Sequence, residues 1–159
     1  MRRLHEGAAK EMEGCVMLAL STFRKSREAE DTAIDKARQV GKLFIAYVAD
    51  LNLARYYIGT DPRPSFLESG NEERLLLEHV EAGSDHLKGI SARAKREGLK
   101  VGTYIESGRF AVVCLDIVKE IKPSQIVTTR SHRPDWARSF FGSPVDELIA
   151  KAGCPVIVV

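Results

Sequence analysis

Between Thr129 and Gly142 the chain sets four basic side chains, Arg130, His132, Arg133 and Arg138, against a single acid, Asp135. The run Gly142-Ser143-Pro144-Val145-Asp146 follows directly. There Ser143 reads as a helix N-cap, Pro144 as the first helical residue and Asp146 as the third residue of a capping-box-like pattern. A helix start presents free N–H groups and the positive end of the backbone dipole. Arginine and histidine side chains beside it can hold phosphate, in a nucleotide or another anionic metabolite. The same residues also read as a solvated basic loop, with Trp136 and Phe140 anchoring it to the protein or to a partner subunit.

Other chemistry-bearing residues point to little. His79 and His86 lie seven residues apart on one helical stretch, about 10.5 Å along its axis, too far to share a metal within it. They read as surface or boundary residues, and no metal is expected. Tyr56-Tyr57 falls in an irregular connection, where the pair can stack on a base or pack against the sheet or a second subunit. No Ser-x-x-Lys, Gly-x-Ser-x-Gly or His-Glu-x-x-His pattern occurs, so Ser143 is a cap rather than a nucleophile. Cys15, Cys114 and Cys154 are widely spaced with no Cys-x-x-Cys, which fits reduced, mostly buried thiols. The sequence holds no catalytic constellation. It reads as a non-enzymatic protein, at most a slow ATPase.

The elements that must position these residues follow from periodicity. Cys15 to Leu20 is a nearly unbroken apolar run, as expected of a strand covered on both faces, and Ser21 ends it. Ala29, Ala33, Ile34, Ala37 and Val40 recur at helical spacing from Ser26 to Val40, with Gly41 as a stop. Lys42 to Ala49 reads as the second strand. Leu51 to Asn71 has no period and reads as a connection or lid. Leu76, Val80, Gly83, Leu87, Ile90 and Ala94 mark one face of a long helix over Glu72 to Glu97. Val101 to Glu106 is the third strand and Gly108 the turn after it. Phe110, Val113, Cys114, Ile117, Val118 and Ile121 line the next helix, which Pro123 stops. Gln125 to Thr129 is the fourth strand. Val145, Leu148, Ile149 and Ala152 face the core from the last helix, and Pro155 to Val159 forms the fifth strand.

Alternating strands and helices of this kind make an α/β fold: an open, doubly wound, five-stranded parallel sheet with helices on both faces, Rossmann-like. In such sheets ligands bind beyond the carboxyl ends of the strands, where strand order reverses. That points to the loops Ser21 to Lys25 and Arg130 to Gly142. Residues 1–14 read as an N-terminal extension, disordered or helical, ahead of one domain over 15–159.

Composition bounds the rest. A chain of 159 residues, 44% of them hydrophobic, closes one core without disulfides or metals. Lys+Arg 24 against Asp+Glu 22 leaves a net charge of +2, which excludes a polybasic nucleic-acid or membrane-surface protein. No apolar run reaches the ~20 residues of a membrane span, and no apolar leader follows Met1. The reading is a cytoplasmic protein with no membrane and no nucleic-acid partner.

The closing segment from Phe141 to Val159, FGSPVDELIAKAGCPVIVV, resembles that of the universal stress proteins, in which Gly-Ser opens the last helix and Cys-Pro-Val precedes the last strand. With the element order and Gly108, the resemblance covers about Cys15 to Val159. It implies a cytoplasmic stress-response or regulatory protein, commonly a homodimer, in a family where some members bind ATP and others do not. ATP-binding members carry Gly-x-x-Gly, nine residues, then Gly-Ser or Gly-Thr, with an Asp ending the first strand. Counted back from Gly142, the two leading glycine positions hold Thr129 and His132, and the Asp position holds Ser21. Val48 matches the position that contacts adenine through its backbone. Glycines let a phosphate loop curl around an anion with positive φ, and a residue with a side chain there costs on the order of 1 kcal/mol or more.

Two expectations follow from the resemblance and this departure. In the first, the chain is a universal stress protein that does not bind ATP in the family's pose and needs no cofactor. In the second, it binds ATP or AMP through Arg130, His132 and Arg133 in place of the glycine loop, at a site completed by Ser21, Val48, Thr129, Gly142 and Ser143. In either case the short apolar run Val156 to Val159 is an open edge expected to pair across a homodimer, and an unidentified protein partner is expected.

Overall fold

Val16–Ser21 (β1) is buried along its whole length because it lies in the middle of the sheet, with neighbours on both edges and helices on both faces. The computed structural model describes residues 4, 6–22, 24–49, 71–130 and 143–159, with the backbone alone of 71–73, 75, 76 and 79. Lys42–Ala49 (β2), Lys100–Ser107 (β3), Gln125–Thr128 (β4) and Val156–Val158 (β5) complete one sheet in the order β3-β2-β1-β4-β5. Every pairing is parallel, with Ser21 beside Val48 and Ala19 beside Thr128. The doubly wound α/β architecture expected from the sequence is the observed one.

Alternation along the strands divides the core in two. Val16, Leu18 and Leu20 face Arg27–Ala37 (α2) and Asn71–Arg96 (α3), which cover one side of the sheet. Cys15, Met17 and Ala19 face Phe110–Ile121 (α4) and Pro144–Lys151 (α5) on the other. Chain direction explains this: β1-α2-β2-α3-β3 winds one way across the sheet, β3-α4-β4-α5-β5 the other, and right-handed crossovers then put the helix pairs on opposite faces.

Residues Glu6–Glu11 form a further helix (α1) on the α4 side. Ala9 and Met12 are buried there, Leu4 N–H donates to Glu120 Oε2 at 3.0 Å, and Lys100 Nζ meets Glu11 at 3.1 Å. Within the segment read as disordered or helical, Glu6–Glu11 is helical.

Close packing is sharpest where α3 crosses β2. A Cβ on Gly83 would lie 2.4 Å from Tyr47 Cε1, so only glycine lets the helix sit this close. An ionic clamp joins α2 to α3: buried Glu30 takes Arg93 Nη1 at 2.9 Å on one oxygen and faces His86 Nε2 at 2.9 Å on the other.

Several sequence expectations shift. α2 ends at Ala37, so Val40 lies beyond the helix and is 43% exposed rather than on its core face. Ile149 is 45% exposed, because the buried stripe of α5 is only as wide as Val145, Leu148 and Ala152. α4 closes at Lys122, left-handed at φ 44°, whose N–H returns to Val118 O, one residue before Pro123. The connection 51–70, with Tyr56 and Tyr57, lies outside the described residues, as do the side chains of Leu76 and His79.

Candidate functional site

Strand order reverses between β1 and β4, so the crevice beyond their carboxyl ends is where this fold takes ligands. The loops named from the sequence start there. After β1 the chain turns back at once: Ser21 and Arg24 exchange backbone hydrogen bonds at 3.2 and 3.1 Å. Thr22 N–H donates to Val48 O at 3.2 Å, so the Val48 carbonyl already serves the protein's own turn. Ser21 is 1% exposed and Val48 fully buried.

The turn delivers a side chain that the sequence reading did not single out. Arg24 is 2% exposed; its guanidinium carbon lies 4.6 Å from the centroid of the Phe110 ring, and its Nη1 donates to Thr129 O at 3.5 Å. A cation thus spans the ends of β1 and β4 over the first residue of α4. Its flat guanidinium suits an aromatic face. The Cys114 thiol lies within reach of that charge, yet burial dominates and pushes it up to about 12. Position in a loop after a strand was the only signal that could have marked Arg24. A lone arginine there reads as solvated until the crevice closes over it.

On the β4 side, Thr128 Oγ1 donates to Ala19 O and Thr129 Oγ1 to Val159 O, both at 2.8 Å. Val159 N–H donates to Thr128 O at 2.9 Å. Thr129 therefore ties β4 to the residue after β5, at a position where nucleotide binders of the resembled family have glycine. Arg130 is exposed and its Nη2 lies 3.5 Å from Asp146 Oδ1. Ser143 caps α5 as expected, its Oγ accepting from Asp146 N–H at 3.3 Å. The Asp146 carboxylate turns to Arg130. The structure brings Ser21, Val48 and Thr129 to the ends of the three central strands, with Arg130 following Thr129. His132, Arg133, Gly142 and the rest of 131–142 lie outside the described residues.

The model of the universal stress protein family matches residues 16–159. This chain belongs to the universal stress protein family. Among solved structures, this universal stress protein is similar to UspA from Lactobacillus plantarum, with a TM-score of 0.67 and 18% identity over 92% of this chain and 98% of that one. It is also similar to a universal stress protein family member from Burkholderia pseudomallei, at TM-score 0.61 and 20% identity over 93% and 96% of the two chains. A third similar structure, a universal stress protein in complex with cAMP, gives TM-score 0.60 and 16% identity over 91% and 96%. No curated protein matches the chain. At these identities the structures establish the fold of this universal stress protein. No helix among its described residues is long and apolar enough to cross a membrane. No cluster of three or more metal-ligating side chains occurs among them.

Proposed function

We propose that this universal stress protein acts as a cytoplasmic stress-response or regulatory protein that does not take ATP in the pose of its nucleotide-binding relatives. One observation carries the reading: the crevice end of β4 is engaged by the chain itself. Thr129, where a phosphate-cradling glycine would stand, spends its hydroxyl on Val159, and the Arg24 side chain lies against the Thr129 carbonyl. A phosphate loop needs free backbone N–H groups on a chain that can adopt positive φ. The assembly proposed with it is a homodimer paired through Val156 to Val159 at the β5 edge.

The test is native mass spectrometry of the purified chain, followed by calorimetric titration with ATP, AMP and cAMP. The expected result is a dimer without nucleotide and no heat from ATP. Co-purified ATP or AMP, or a micromolar Kd for ATP, overturns the reading. For the dimer, Val159 N–H points at β4, so by alternation Val158 N–H points outward. Val158→Pro should give monomers in light scattering.

One observation favours the alternative, a nucleotide site built on basic side chains. Arg24 holds a positive charge at the switch point, and beside it Thr22 Oγ1 is buried with no hydrogen-bond partner among the described residues. One structural relative is described in complex with cAMP. In that case Arg130→Ala with Arg133→Ala abolishes nucleotide binding in the same titration.

A further inference from the structure

At the far side of the sheet from β5, β3 is an outer strand of eight residues, paired only with β2 among the described residues. Its hydrogen bonds say which of its groups face outward. Lys100 N–H donates to Gly41 O and Gly108 N–H to Ala49 O. Alternation then turns Lys100, Gly102, Tyr104 and Glu106 toward β2, and leaves the N–H and C=O groups of Val101, Thr103, Ile105 and Ser107 on the outer edge.

A groove of about 400 Å³ runs beside that edge, floored by Thr103, Tyr104 and Ile105 and walled by Ser84, Leu87, Lys88, Ser91, Ala92 and Lys95 of α3. Ser84, Ser91 and Ala92 keep the wall low. Among the described residues, Lys88 and Lys95 are the charged side chains lining the groove, both are exposed, and neither has a carboxylate within ion-pair distance. Elsewhere on α3, Arg74 pairs with Glu78 and Arg93 with Glu30 and Asp31, while Arg96 does not line this groove.

The geometry points to strand addition: the outer edge of β3 takes an extended acidic segment of a partner protein. Its backbone pairs with Val101, Thr103 and Ile105, and its carboxylates meet Lys88 and Lys95. Main-chain pairing supplies affinity in this mode, and alternate side chains supply choice. The two lysines are about 10.5 Å apart along the helix axis. An added strand rises about 3.3 Å per residue, so acids two to four positions apart on its α3-facing side reach both. A second copy of this chain fits less well, since pairing β3 with its twin about a two-fold axis would bring four lysines together. The proposal concerns the β3 edge, away from the crevice beyond β1 and β4, and does not depend on whether nucleotide binds.

The experiment is display selection of a random 12-residue peptide library on the full-length chain, followed by fluorescence anisotropy of the winning synthetic peptide. The expected winner is an alternating sequence with at least two acids on one face, whose binding weakens as salt rises. Its affinity should fall at least tenfold in Lys88→Glu/Lys95→Glu, and that variant should bind the Lys-for-Glu version of the peptide instead. Thr103→Pro removes an outward N–H without touching the β2 ladder, a place where an edge strand tolerates proline, and it should also weaken binding at least tenfold. Circular dichroism and Tm establish that each variant is folded. If it is not, Thr103→Ala with hydrogen exchange at 101–107 replaces Thr103→Pro, and peptide-induced protection of those amides is expected. No enriched peptide, binding unchanged in the lysine variant, or a lysine variant that changes the oligomeric state all overturn the proposal.

Discussion

The hydroxyl of Thr129 donates to the main-chain oxygen of Val159 at 2.8 Å, so the residue after β4 holds the residue after β5 in place. Thr129→Val keeps the shape and removes the donor. The expected cost is about 1 kcal/mol in urea unfolding, or a Tm lower by roughly 2–4 °C for a chain of this size. An unchanged midpoint would show that the hydroxyl holds nothing.

Arg24 is buried through its aliphatic stem as well as its guanidinium. Arg24→Ala empties that volume and removes the donor to Thr129 O, and is expected to destabilise by about 2–4 kcal/mol. Arg24→Met, which refills the stem, should recover part of the loss. Denaturant midpoints of the pair check both. Equal loss in the two variants would place the whole effect in the guanidinium.

Gly83→Ala pushes a methyl into the buried Tyr47 ring, and overpacking of this kind costs about 2 kcal/mol. Differential scanning calorimetry should find Tm lowered by roughly 4–8 °C. Gly89→Ala serves as the control, because nothing lies within 4 Å of a Cβ there, and on helix propensity alone it should stabilise slightly.

Burial pushes the thiols of Cys15 and Cys114 from their ordinary value of 9.0 up to about 12, so neither offers thiolate near neutrality. Iodoacetamide on the native protein at pH 8 should therefore spare both. Cys154, half-buried and raised by burial as well, should be the first to react, as peptide mapping would show. The fold favours the protonated thiols, so their contribution to stability is complete below pH 9. Between pH 9 and 12 the unfolded chain binds fewer protons than the folded one, and stability falls as pH rises. Replacing both by alanine should flatten that fall while lowering the plateau.

Sequence alone determined the order and type of the elements, the parallel doubly wound sheet, the cap at Ser143 and the two loops that flank the crevice. These rest on relations among near neighbours in the chain: apolar spacing at two or three to four residues, a hydroxyl three residues before the N–H it accepts from, a glycine after a helix. The absence of glycine at Thr129 and His132 was equally legible, being a matter of residue type.

Tertiary structure alone decided what those residues do. The partners of Arg24 and Thr129 lie 105 and 30 positions away, and residue type does not say whether such a side chain meets water or another strand. Ile149 and Val40 depart from their expected core positions because a helix buries only the face its neighbours cover, and where each helix ends is set by packing. The docking of α1 and the outward groups of β3 follow from sheet order, which short-range periodicity does not encode. Burial is a property of the assembled chain, and the chemistry of this crevice follows from burial.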